Sequence, residues 1–171
     1  SVKVFNFDMT EKYTEEISLA VGADESKKIL DIAWPEDLSD VYFLKLELKD
    51  DSDKIVSSNF YWLSVKGDVE ADFTDLNMLP EAELNVTASP LQMEGSRYSM
   101  VVDLENLSST LAFSVNPKII MSESRDLVLP VYWDDNYISL VPGEKRSLKV
   151  RFNAENLDGE QAVLQIEGWN I

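Results

Sequence analysis

The sequence predicts an all-β protein built of two small sandwich modules, and three observations carry that expectation. Apolar residues recur with period two in nearly every hydrophobic segment, and none repeats them at the spacing of an amphipathic helix. Turn-forming Gly, Pro, Asn and Asp punctuate the second half every roughly eight to twelve residues. The alternation breaks at Lys66-Gly67-Asp68 and gives way to a short acidic connection through Glu70, Asp72 and Asp75.

Taken in order, residues 2–7 open as a strand that is partly apolar on both faces. Residues 16–21 alternate with Ile17, Leu19 and Val21 inward. Residues 26–34 put Leu30, Ile32 and Trp34 on one face until Pro35 stops them. Residues 41–49 place Tyr42, Leu44, Leu46 and Leu48 inside and Lys45, Glu47 and Lys49 outside. The Asp50-Asp51-Ser52-Asp53 turn then returns the chain into residues 55–63, giving a hairpin. Tyr42, after Leu38-Ser39-Asp40-Val41, stands where a sandwich can fold a tyrosine hydroxyl back onto the upstream backbone; an ordinary core tyrosine fits equally, and both readings are structural. Trp62 shares a face with Phe60 and reads as packing too.

The second set begins with residues 82–88, where Leu84, Val86 and Ala88 face inward. Residues 97–105 follow a Glu94-Gly95-Ser96 turn and direct Tyr98, Met100, Val102 and Leu104 inward. Leu111, Phe113 and Val115 start a third strand that Pro117 should leave at an edge or an end. Residues 127–133, 137–141, 145–152 and 161–169 complete about seven strands in about 100 residues, the pattern of a two-sheet sandwich. In the fifth of these, Tyr137, Ser139 and Val141 share one face and Ile138 and Leu140 the other. Pro142-Gly143 then fits a type II turn, with Pro fixing φ at the second position and Gly supplying the positive φ at the third. The next strand turns Leu148, Val150 and Phe152 inward and Lys149 and Arg151 outward.

Composition narrows the chemistry. The chain has neither Cys nor His, so disulfides, thiol catalysis, histidine-based triads and the commonest zinc sites have no residues to build them. A formal charge of −17 from 32 acidic and 15 basic residues repels phosphate backbones and anionic lipid heads, which argues against nucleic-acid and membrane partners. No apolar run approaches the roughly 20 residues of a membrane span. Glycoside cleavage needs two opposed carboxylates in contrasting environments. Asp134 with Asp135 and Glu123 with Asp126 are adjacent or near-adjacent acids without an apolar setting, so no catalytic residue is assigned. Asp50, Asp51 and Asp53 lack the Gly and the twelfth-position Glu of a calcium loop and read as a solvated hairpin tip, so no metal is assigned. Asn85-Val86-Thr87 and Asn106-Leu107-Ser108 match the glycosylation sequon. The aromatics Trp34, Trp62, Tyr132, Trp133, Tyr137 and Trp169 serve either core packing or sugar stacking; Tyr132, Trp133 and Tyr137 are the candidates for carbohydrate binding, with Tyr132 and Trp133 the expected exposed pair.

Residues 133–150, WDDNYISLVPGEKRSLKV, resemble the last immunoglobulin-like domain of family 2 glycoside hydrolases in the β-mannosidase and exo-β-glucosaminidase branch. Tyr42-Phe43-Leu44-Lys45-Leu46-Glu47-Leu48 and Asn59-Phe60-Tyr61-Trp62-Leu63-Ser64 resemble the end of the preceding domain in the same enzymes. The resemblance implies two tandem immunoglobulin-like sandwich domains: residues 1–66, truncated at the N-terminus to strands C to G, a linker at 67–80, and residues 81–171. It implies a non-catalytic C-terminal accessory region that packs against an upstream catalytic barrel of the same polypeptide, in a periplasmic or secreted enzyme without cofactors. A truncated first sheet would expose an edge, to be covered by pairing with a neighbouring copy or with the second domain. The competing reading is a stand-alone carbohydrate-binding or adhesion module, with a glycan as partner.

Overall fold

The computed structural model describes residues 1–171 and is all-β, with two short 3₁₀ segments. It divides into two compact units, Ser1–Met78 and Leu79–Ile171. The break falls between Met78 and Leu79, and a 3₁₀ helix at Thr74–Met78 belongs to the first unit.

The first unit is a single antiparallel sheet of four strands, β1 (Val2–Asn6), β2 (Glu11–Glu15), β3 (Val41–Lys49) and β4 (Ile55–Ser64), in the order β2-β1-β3-β4. The β3–β4 hairpin forms as the alternation requires, pairing Val41 with Ser64 through Leu48 with Ser57. Asp50 closes it: its Oδ1 accepts from the Ser52 and Lys54 backbone N–H groups at 2.9 and 3.1 Å. The acids of this tip thus organise a turn.

Two strands expected at 16–21 and 26–34 are absent. Leu19, Val21 and Trp34 stay 38%, 47% and 47% exposed, so this stretch has no buried stripe to fix a pleat. A turn instead forms at Gly22, whose N–H donates to Glu25 Oε2 at 3.0 Å. The strand that does pair with β1 is Glu-Lys-Tyr-Thr-Glu at 11–15, a segment with one aromatic and no apolar alternation.

A second difference lies on β3. Lys45 is 7% exposed and pairs with Glu47 at 2.9 Å, so residues expected in solvent lie under cover. Phe43, on the same face, is fully buried and stacks on Phe60 with ring centroids 5.5 Å apart. Both faces of β3 are therefore covered from Val41 to Lys45, with Glu47 as the counter-charge to Lys45, whereas Leu48, expected inside, lies near the hairpin tip and is 54% exposed.

The second unit is a two-sheet sandwich. One sheet runs β5 (Leu84–Ala88), β7 (Arg97–Asn106), β11 (Lys145–Asn153), β9 (Val131–Trp133), with β6 (Gln92–Glu94) continuing the edge beside β7. The other runs β10 (Ile138–Leu140), β8 (Ala112–Met121), β12 (Ala162–Glu167). Val102, Leu104, Leu148 and Phe152 from the first sheet meet Ala112, Val115, Ile119 and Leu140 from the second, all at most 2% exposed. Pro117 sits mid-strand in β8 and not at an end. It faces Ile166 of β12 on one side. On the other, β10 stops at Val115 and the next bridge, Leu127 to Ile120, begins beyond it. The missing N–H thus falls in a gap between partners.

Two asparagines tie this unit together. Asn106, fully buried, donates through Nδ2 to the carbonyls of Thr110 (2.8 Å) and Leu140 (2.9 Å) and accepts from the Ser108 N–H at Oδ1 (2.9 Å). Asn170 Nδ2 donates to the carbonyls of Pro80 and Leu111, both at 2.7 Å, and its Oδ1 accepts from the Phe113 N–H at 2.9 Å.

Candidate functional site

The expected sugar-binding aromatics do not gather. Along β9 successive side chains alternate faces. Trp133 packs against both core clusters, whereas Tyr132 is 62% exposed on the outer side. They are therefore not an exposed pair, because adjacent strand residues cannot share a face. Tyr137 is exposed in a left-handed backbone (φ +51°) just before β10. Pro142 and Gly143 form the turn after β10: Gly143 has φ +76° and the Glu144 N–H donates to the Val141 carbonyl at 3.0 Å.

In the first unit the Trp34 ring meets Tyr42 edge-on at 5.6 Å. Burial, and secondarily the charge of Asp68, push the Tyr42 hydroxyl up from its ordinary pKa. That hydroxyl makes no hydrogen bond to the upstream backbone, so Tyr42 is a packed tyrosine and not a corner. Trp62 shares the face of Phe43 and Phe60 yet remains 46% exposed.

The acids are occupied with the backbone. Asp134 Oδ2 accepts from the Lys149 N–H at 3.1 Å, and Asp135 Oδ1 from the Asn136 N–H at 2.9 Å. Glu160 Oε2 accepts from the N–H groups of Glu123 (2.7 Å) and Ser124 (3.1 Å), which hold its carboxyl below the usual range. Asp8, Asp37, Asp50 and Asp72 are likewise held low by hydrogen bonds to their carboxylates. A glycosidic general acid needs the opposite displacement. Of the two sequons, Asn85 is exposed on β5 and Asn106 is fully buried.

What the structure does assemble lies on the outer face of the five-stranded sheet. Register pairs Arg151 with Tyr132 and Asn153 with Arg97. These four residues line a cleft of about 300 Å³, to which Phe152, whose ring faces the core, contributes only backbone. No carboxylate oxygen comes within 4 Å of either guanidinium, although Glu94 stands opposite Arg97 on β6. Sequence reading had Tyr132 as a candidate and Arg151 as outward, but Arg97 and Asn153 join them only through strand register, which carries no local signature.

Comparison with known proteins places the chain in a family. The exo-β-D-glucosaminidase Ig-fold domain model matches residues 59–171. The chain belongs to that family. The mannosidase Ig/CBM-like domain model matches residues 1–77, so the two models succeed one another along the chain in the order the motifs implied. An exo-β-D-glucosaminidase of Amycolatopsis orientalis is 34% identical over 99% of this chain and 18% of its own length. A mannosylglycoprotein endo-β-mannosidase of Lilium longiflorum is 26% identical over 99% of this chain and 24% of its own. The crystal structure of A. orientalis exo-chitosanase CsxA superposes with a TM-score of 0.88 at 33% identity, covering 99% of this chain and 22% of that one. The chain thus spans about a fifth of the length of these relatives. As a member of the exo-β-D-glucosaminidase Ig-fold family it matches an accessory region of glycoside hydrolases.

Proposed function

We propose that this chain is a non-catalytic C-terminal accessory region of a β-mannosidase-like or exo-β-glucosaminidase-like exoglycosidase, secreted or periplasmic, that packs against the catalytic barrel and shapes the approach to it. One observation carries the reading: relatives align over 99% of the chain yet extend about five times further, and both family models are non-barrel domains. The site chemistry supports it. Asp8, Asp37, Asp50, Asp72 and Glu160 are held more acidic by hydrogen bonds to their carboxylates, the opposite of what a glycosidic general acid requires. A formal net charge of −17 also suits an enzyme whose substrate bears amines, since a negative field raises the local concentration of cationic chains. The test has two arms. The isolated chain releases no chromophore from a chromogenic β-mannoside or β-glucosaminide, and turnover that survives purification controls overturns the reading. Added to a parent enzyme lacking this region, the chain raises the enzyme's thermal midpoint; no effect at saturating concentration removes the packing role.

A further inference from the structure

The cleft on the outer face of the second unit calls for an occupant that the packing role does not supply, and its composition indicates the class. We infer that Arg97, Tyr132, Arg151 and Asn153 bind a pyranose carrying an anionic substituent, a uronate carboxylate or a sulfate. The inference goes beyond the accessory role and stands on separate residues.

Charge is the first argument. In a chain with more than twice as many acids as bases, Lys3, Lys12, Lys66, Lys118, Lys145 and Arg146 each hold a carboxylate within 4 Å. Arg97 and Arg151 have none, as is also true of Lys27, Lys49, Lys54, Arg125 and Lys149, but these two are set apart as diagonal neighbours across β7 and β11, where like charges repel. An anion between them relieves that repulsion, and two planar guanidinium forks suit a carboxylate or sulfate better than ammonium groups would.

Shape and polarity are the second. The Tyr132 ring, beside Arg151 on the next strand, is exposed as a platform for the apolar face of a sugar ring, while the Asn153 amide can take hydroxyls as donor or acceptor. A cleft of about 300 Å³ is at the lower end for small-molecule sites. Of the outward residues around it, Ser99, Lys149 and Gln92 are polar and Val101, opposite Lys149, is a single apolar residue at the margin, whereas a protein-binding patch needs an apolar centre. A small anionic saccharide is therefore favoured over a protein surface.

The experiment titrates the isotope-labelled 171-residue chain with a glucuronate-containing disaccharide, a sulfated monosaccharide, their neutral counterparts and inorganic sulfate, following backbone amides by NMR. Expected are saturable shifts centred on residues 97, 132, 151 and 153, and affinity for the better anionic sugar about ten-fold above its neutral counterpart. Comparing the uronate with the sulfated sugar tells which anion is taken. Arg97→Gln and Arg151→Gln each weaken binding about ten-fold, and Tyr132→Ala weakens the sugars but not inorganic sulfate. All three substitutions are on the outer face, so unchanged spectral dispersion elsewhere certifies the fold. No saturable binding, shifts centred elsewhere, equal affinity for neutral sugars, or indifference to Tyr132→Ala would each overturn the assignment.

Discussion

Replacing Asn106 by Ala should be among the most damaging single changes available in the second unit. The residue is fully buried and its amide serves three backbone groups on two segments: Ser108 and Thr110 in the loop after β7, and Leu140 at the end of β10. Its own backbone adds two ties, the N–H donating to the Glu144 carbonyl and the carbonyl accepting from the Gly143 N–H, both at 3.0 Å. Alanine keeps the backbone ties and deletes the side-chain ones. Three hydrogen bonds at about 1 kcal/mol each give about 3 kcal/mol, and leaving the Leu140 carbonyl without a partner in the interior adds about 1–3 kcal/mol. The expected loss is therefore about 4–6 kcal/mol, a large part of the roughly 5–15 kcal/mol that holds a domain folded. Urea unfolding followed through the amide signals of Val102, Leu148 and Val150 reads the loss in the unit concerned. A decrease below about 1 kcal/mol at unchanged m-value would mean that water or a relaxed loop replaces the amide, and the bridging account would fail.

Phe43→Ala should destabilise the first unit by about 3–5 kcal/mol, because a fully buried ring stacked on Phe60 leaves a cavity; chemical denaturation read at β3 amides checks it. Gly143→Ala should cost about 1–2 kcal/mol from its φ of +76° alone, since nothing lies within 4 Å of the added Cβ; a larger loss in the same assay would reveal a clash. Glu160 is held low by two backbone donors, so its folded pKa lies below its unfolded one. Its contribution is complete above the unfolded value near 4.5 and is lost as pH falls through the folded value. The urea midpoint of the second unit should therefore drop on acidification below about pH 4.5, and Glu160→Gln should make that drop shallower.

The second unit was legible in the sequence because β7 and β11 bury one face only, even though β8 is covered on both, with Ile119 and Ile120 buried side by side. On β11, Leu148, Val150 and Phe152 are buried and Lys149 and Arg151 exposed, as their alternation demands. The first unit was less so, for two physical reasons. Lys45 and Glu47 go under cover as a pair, and period-two reasoning has no means of placing a neutralised pair inside. The alternation at 16–34 buries no continuous stripe beyond the contact of Trp34 with Tyr42, so it stays outside the sheet while the polar segment at 11–15 completes it through backbone pairing with β1. The candidate cleft divides the same way: Tyr132 shows itself by exposure, but its arginine neighbours arrive from strands 35 and 19 positions away by register.

Asn170 has one more implication. By gripping Pro80 and Leu111 while its own carbonyl accepts from the Ala82 N–H at 2.8 Å, it stitches the last residues of the second unit to its first. Start and finish are therefore within a few ångströms of each other, so a short splice could join them and new ends could be opened in an outer loop. The module is thus suited to circular permutation or to grafting into a host loop, whereas clipping only its last two residues should loosen both margins at once.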